Sequence, residues 1–488
     1  VTGVQTCALP ISDIGIYGLT NQGVNLALNF ASNGFLVTVG NKSSDKIKEC
    51  IDLAEKADLE EKVRGIKDAA EFCKNLKTPR VVLLLAKPGS SIDRNLQKIA
   101  PSLEAGDIVI DGSCDSVAEC DRRRAELEEK QVQYATMAIA GSDDDARKGP
   151  AFLVSGAKET FDAVEPMLSK VAAKMNDRAC VGLVGSGSSA AFVKMLVDGL
   201  ELGECELLAE QYDLQRQMHL NNPEMSETFS TWNEGEQACF LLATTATILA
   251  KKDTDVEGCK PSDNFLVDRI VDQAPAKRCA ADVPGESVTA TTSGSVLSSA
   301  MFARFASSSR EERSKVNGTV KAPKFDWGRM DLQEVLRDLP EAYACERVVM
   351  YAQAFAMLAA AASKQQWEVK SGEVARVLSG GNVLRGKLLE SIAEVFEKEP
   401  ATENLLASEK FATLLKEKQC AWRRVMSLTV MAGVTAPTGM AALSYYDAMC
   451  TKRLPGAMVQ CLRDCLLEEG FERVDKEKGE LFSCRWNR

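Results

Sequence analysis

Histidine is almost absent: His219 is the single one in 488 residues. A Ser-His-Asp triad, a histidine proton relay and a histidine-rich zinc site all fall away with it. The sixteen cysteines do not restore a metal site. They are scattered, with no CxxC pair or other ligand spacing, as expected for reduced thiols in a cytoplasmic protein. No apolar run approaches the ~18 residues of a membrane span, so none is expected. Positive charge is in deficit as well. Lys and Arg number 59 against 70 Asp and Glu, a net charge of -11, which argues against nucleic acid as a partner. Residues 1–12 lack the basic start and apolar core of a signal peptide and lead into no recognisable element. They are expected to be a non-native leader outside the fold.

What is present begins as alternating strands and helices. Asp13-Ile14-Gly15-Ile16-Tyr17-Gly18 reads as a buried strand running into a turn, and a helix opens near Asn21. Gly18 and Gly23 stand as the first and last glycines of a dinucleotide fingerprint, with Thr20 in place of the middle one. The next strand, 35–39, ends in Gly40-Asn41-Lys42-Ser43-Ser44. An NAD-binding chain places an acid there for the ribose hydroxyl; a lysine among hydroxyls suits a 2′-phosphate, and hence NADP. Strands at 81–86 and 107–111, with helices at 92–103 and 116–130, continue the rhythm to about residue 180. The expected fold is α/β, a Rossmann-like doubly wound domain over 13–186. Ligands bind outside the carboxyl ends of such strands, which singles out Lys87, Cys114 and the loop Ala140-Gly141-Ser142-Asp143.

From about Gly187 strand signals almost vanish. Helical patterns cover 190–217, 232–251, 297–315, 341–364, 384–397 and 409–431, so 187–465 is expected to be a large all-α domain. Thr435-Ala436-Pro437-Thr438-Gly439 reads as punctuation, 253–293 as loops with short helices, and 466–488 as a polar tail, docked or disordered. His219 reads as a surface residue. On the helix 190–217, Lys194 and Glu201 are seven residues apart. They fall within about 20° of one face, separated by about 10.5 Å of rise. An amine and a carboxylate so placed suit proton transfer to and from one small substrate; a solvated face is the alternative.

Several ordered segments carry a resemblance. Gly18-Leu19…Gly23…Asn25-Leu26, Asn41-Lys42-Ser43, Ile108-Val109-Ile110-Asp111-Gly112, Ala146-Arg147-Lys148-Gly149-Pro150 and Phe192-Val193-Lys194-Met195 lie in the first part. Trp232-Asn233, Phe302-Ala303-Arg304, Tyr351-Ala352-Gln353, Trp422-Arg423-Arg424, Ala442-Leu443-Ser444-Tyr445-Tyr446-Asp447 and Arg463-Asp464 follow. Together they resemble the decarboxylating 6-phosphogluconate dehydrogenases, of the β-hydroxyacid dehydrogenase superfamily, over 13–485. The resemblance implies oxidation of 6-phosphogluconate by NADP and β-decarboxylation to ribulose 5-phosphate, in the pentose phosphate pathway, without a metal. It casts Lys194 as general base and then acid, and Glu201 as the acid that protonates the enediol.

The resemblance also implies cofactor contacts from Gly18, Thr20, Gln22, Gly23, Asn41, Lys42, Ser43, Ala86, Lys87 and Cys114. Substrate contacts fall to Gly141, Ser142, Asp143, Asp198, Lys277, Arg304 and Arg463, the last three as phosphate-binding cations. Interhelical salt bridges are the alternative for Arg304 and Arg463. Arg463 and the tail correspond to a segment that reaches the neighbouring subunit, so a homodimer is expected. The pocket departs from the family pattern. Cys114 and Asp198 stand for asparagine, Ala140 for serine, Ser142 for glycine, Asp143 for glutamate, Val197 for histidine, Leu202 for tyrosine and Glu469 for histidine. Val197, Leu202 and Ala140 cannot hydrogen-bond a sugar acid. A non-catalytic or altered-specificity paralogue that keeps the fold and binds the cofactor is the alternative reading.

Overall fold

The computed structural model describes residues 11–113, 115–274, 279–321 and 323–486. Its first half is an eight-stranded sheet. The strands are β1 (Ile14–Tyr17), β2 (Val37–Gly40), β3 (Val63–Ile66), β4 (Val81–Leu84), β5 (Ile108–Asp111), β6 (Gln133–Ala140), β7 (Ala151–Gly156) and, after a small hairpin of β8 (Lys174–Met175) and β9 (Arg178–Ala179), β10 (Val181–Gly185). Their order is β10-β7-β6-β5-β4-β1-β2-β3. All neighbours are parallel except β6 and β7. Helices α1 (Asn21–Ser32), α2 (Ser44–Glu55), α3 (Ala69–Lys74), α4 (Ser90–Ile99), α5 (Val117–Glu128), α6 (Asp143–Lys148) and α7 (Lys158–Val171) connect them. β1, β2 and β4 are buried throughout, as continuous apolar strands covered on both faces require.

The leader expectation needs correction at its end. Residues 1–10 lie outside the described residues, but Ser12 is buried and bridges to Leu76. Its hydroxyl accepts from Thr38 Oγ1 at 2.9 Å, and its backbone N–H donates to Asn75 at 2.8 Å. A short polar side chain beside a strand gave no hydrophobic signal of that role.

The second half is built from α8 (Ser189–Gln217), α9 (Asn222–Trp232), α10 (Phe240–Ala250), α11 (Val283–Thr289), α12 (Ser295–Ser308), α13 (Arg310–Thr319), α14 (Leu332–Gln365), α15 (Ser371–Leu378), α16 (Lys387–Lys398), α17 (Glu409–Ala432), α18 (Pro437–Cys450) and α19 (Gly456–Leu467). The expected 232–251 helix starts only at Phe240; Trp232 ends α9, and 233–239 connect the two. The expected 297–315 helix is broken at Ser309 into α12 and α13. The punctuation at 435–439 does mark a break, between Ala432 at the end of α17 and Pro437, which opens α18, where a missing N–H costs nothing. α19 runs past the expected 465 boundary to Leu467, and a hairpin of β11 (Phe471–Glu472) and β12 (Leu481–Phe482) folds back on it. Asp464 ties that tail down, accepting from the N–H of Gly470 at 2.9 Å and from Trp486 Nε1 at 2.7 Å.

One core joins the halves. Ala138, Leu153 and Val184 of the sheet pack with Ala190, Phe192, Val193 and Leu196 of α8. α14 crosses α8 where Gly203 leaves room: a Cβ there would lie 2.2 Å from Met350 Sδ. A buried ion pair pins the crossing, with Arg347 Nε 2.8 Å from Glu204 Oε1 and Tyr343 donating to the same carboxylate.

Candidate active site

The turn after β1 is forced by close packing. Gly18 has φ +105°, and a Cβ would fall 1.6 Å from the Leu85 carbonyl oxygen, so only glycine fits. Thr20, which stands where the fingerprint has its middle glycine, caps α1: its hydroxyl accepts from the Gly23 N–H at 3.1 Å. Gly23 packs so closely that a Cβ would approach the Gly18 carbonyl oxygen to 2.7 Å. Asn41 holds the loop after β2, accepting from the Leu19 N–H at 3.4 Å and donating to the Ser43 carbonyl.

Gly18, Thr20, Asn41, Lys42 and Ala86 line one cavity of about 490 Å³, together with Ser91, Arg94, Asn95, Gln97 and Lys98 of α4. Gln22, Gly23, Ser43 and Lys87 do not line it; Lys87 is exposed at the end of β4. Cys114 lies outside the described residues. Its loop is anchored by Arg123, whose guanidinium reaches Asp93 at 2.8 Å and Asp115 at 2.9 Å. Burial pushes the Asp115 carboxyl up, but the Arg123 bond and the Gly89 and Ser116 amides outweigh it and hold it below its usual range.

A second cavity, of about 530 Å³, opens beside the carboxyl ends of β4 and β5. Pro88 and Asp115 border it on the sheet side, Phe192 and Met195 on α8, and Asp282 and Glu286 on the α11 side. Sheet and helices thus meet at the edge where an open α/β sheet takes its ligands.

α8 sorts its own residues. From Ser189 to Glu204 every residue is buried except two, Lys194 and Glu201. Both are half-buried and on one face, as their spacing predicts. Asp198 is buried between them, and its Oδ1 lies 2.5 Å from Lys194 Nζ. Val197 and Leu202 are buried in apolar packing.

The other expected substrate contacts are less gathered. Gly141, at the end of β6, lies against the Gly381 carbonyl, which a Cβ would meet at 2.7 Å. Ser142 is the N-cap of α6: its hydroxyl serves the Asp145 amide and carboxylate. Asp143 is exposed in the first turn of α6. Arg304 on α12 pairs with Glu206 on α8 at 2.8 Å, an interhelical salt bridge. Burial pushes Glu206 up, and Arg304 opposes this. Arg463 on α19 pairs with Glu469 in its own tail. Lys277 lies outside the described residues.

Residues 13–185 match the family model described as the NAD binding domain of 6-phosphogluconate dehydrogenase, and residues 190–486 that of its C-terminal domain. This chain belongs to the 6-phosphogluconate dehydrogenase family. It is 34% identical to the NADP(+)-dependent, decarboxylating enzyme of Bacillus subtilis, over 97% of this chain and 98% of that protein. It is 32% identical to decarboxylating enzyme 1 of Spinacia oleracea, with 96% of each covered. Among solved structures, the Plasmodium falciparum 6-phosphogluconate dehydrogenase is similar with a TM-score of 0.92 and 31% identity, covering 97% of this chain and 100% of that one.

Sequence reasoning missed the contribution of α4 to the cofactor-side cavity. The signal was available: Ser91, Arg94, Asn95 and Lys98 recur at helical spacing after a strand end that the fingerprint had already marked. It also missed Asp115, Asp282 and Glu286 around the second cavity, because no local pattern joins residues so far apart. Among the described residues no helix is long and apolar enough to cross a membrane.

Proposed function

We propose that this chain oxidises 6-phosphogluconate with NADP and releases carbon dioxide, giving ribulose 5-phosphate. The observation that carries the proposal is the end-to-end likeness to the Plasmodium falciparum enzyme, described in complex with its cofactor NADP+ and its substrate 6-phosphogluconate. The residues present fit NADP: the glycine turn admits no side chain at position 18, and Lys42 lines the cavity beside it. When bound, the cofactor supplies the hydride acceptor. Lys194 takes the proton of the C3 hydroxyl and, once protonated, holds it against the C3 oxygen while carbon dioxide leaves. Glu201 returns a proton to the enediol carbon. Exposure of these two residues alone on an otherwise buried stretch supports that division of labour.

The chain acts as a cytoplasmic homodimer in this reading. Met449, Leu454, Met458, Val459, Leu462 and Leu466 on and between α18 and α19 are each at least half exposed, a surface that suits a second copy. Sedimentation that finds an active monomer overturns the dimer.

One observation favours the altered-specificity or non-catalytic alternative. Asp198 pairs with Lys194, while Val197, Leu202 and Ala140 offer a sugar no hydrogen bond. The deciding assay is NADPH absorbance with saturating 6-phosphogluconate and NADP. Turnover lost in Lys194→Ala supports the dehydrogenase; no turnover in the wild-type chain at any pH supports the alternative.

A further inference from the structure

The cavity beside the β1 turn carries one sign of charge. Its lining includes Lys42, Arg94 and Lys98 and no carboxylate. In a chain of net charge -11 this is a local inversion. Asp93, next to Arg94 in sequence, is turned to Arg122 and Arg123 instead. Among the described residues no ion pair neutralises Lys42, Arg94 or Lys98. Ser91 Oγ accepts from Arg94 Nη2 at 3.0 Å, and both residues line the cavity, so the guanidinium is held at its rim.

We infer that α4 completes the 2′-phosphate site of the cofactor, with Arg94 gripping the phosphate and Lys98 as a further cation, across from Lys42. The inference rests on the NADP reading above. A phosphate monoester carries close to two negative charges at neutral pH. Lys42 is a compact point charge, whereas a guanidinium offers a planar fork that matches two phosphate oxygens. NAD has only a hydroxyl at that position, so cations gathered there favour NADP and leave NAD indifferent. Two elements thus share the discrimination, the loop after β2 and the exposed face of α4.

The test is calorimetric titration of the full chain with NADP, NAD and 2′,5′-ADP, for the wild type, Arg94→Ala and Lys98→Ala. Both side chains are exposed, and the two variants retain the core. Arg94→Ala is expected to weaken NADP and 2′,5′-ADP by about tenfold or more, as loss of a charge-assisted hydrogen bond does. Lys98→Ala should weaken them less, and both should leave NAD unchanged and flatten the salt dependence of NADP binding. Variants that bind NADP as the wild type does, with the NADP preference intact, overturn the inference and leave the cofactor reading standing. NAD weakened by the same factor as NADP also overturns it. A wild-type chain that binds NAD as tightly as NADP overturns the cofactor reading itself, and this inference with it.

Discussion

Lys194 Nζ and Asp198 Oδ1 lie 2.5 Å apart on successive turns of α8. An anion at that distance stabilises the ammonium over the free amine, the wrong direction for a group that must accept a proton near neutral pH. Asp198→Asn is therefore expected to move the acid limb of kcat/KM to lower pH and to raise the rate at neutral pH. Each unit of displacement corresponds to about a tenfold larger fraction of free amine. A pH profile identical to wild type means that Lys194 is not the base.

Glu201 sits two turns along the same face, half-buried. Glu201→Gln keeps the side-chain shape, and its effect on thermal stability is expected to be about 1 kcal/mol, the typical cost of a single substitution. It should lower kcat by about 100-fold or more, the usual scale of general acid catalysis, with little change in KM. Equal losses in Tm and activity would assign Glu201 a structural role.

Much of this arrangement was legible beforehand, and the reason is periodicity. The 190–217 helix and the Lys194–Glu201 spacing follow from apolar residues at helical intervals, which the core then uses as written. The Gly18 turn was legible because a single backbone conformation there has a single permitted residue. What stayed hidden depends on distance in space. Arg304 reads as a phosphate cation or as an interhelical salt bridge, and its pairing with Glu206 of another helix is a contact that no local pattern announces. α18 and α19, half exposed, dilute the apolar pattern that would have marked them.

Gly203 of α8 faces the Met350 side chain of α14, which occupies the space a larger residue at 203 would need. A methyl group there meets Met350 Sδ at 2.2 Å, so either the thioether or the helix must move. Gly203→Ala is expected to cost about 1–3 kcal/mol by overpacking, read as a lower Tm and a lower denaturant midpoint. Because α8 carries Lys194 and Glu201, kcat/KM should fall as well. Met350→Ala added to Gly203→Ala should restore part of the activity; no restoration would place the strain elsewhere.

Two buried carboxylates, Glu210 on α8 and Glu346 on α14, face one spot. A Cβ on Gly439 would lie 3.1 Å from Glu210 Oε2 and 2.8 Å from Glu346 Oε1. Glu210 accepts the Thr438 and Gly439 amides at the start of α18, at 2.7 and 2.9 Å, but burial and the neighbouring Glu346 push it well above its usual range, against which those amides work. Among the described residues Glu346 receives only Gln211 and Trp422, each at 3.2 Å. Burial pushes Glu346 up to about 7, against which those two hydrogen bonds work. The folded chain therefore holds this proton more tightly than the unfolded chain, whose carboxyl titrates near 4.5. Stability from this group is complete below that value, falls as pH rises towards 7, and stays lost above it. At about 1.4 kcal/mol for each unit, the loss across the window is about 3 kcal/mol. Glu346→Gln keeps the side-chain shape but cannot ionise. Urea unfolding of the wild type should show a lower midpoint at about pH 8 than at about pH 5, beyond any change in the Glu346→Gln variant. Parallel pH dependence in the two proteins would mean that Glu346 is not the group that holds the proton.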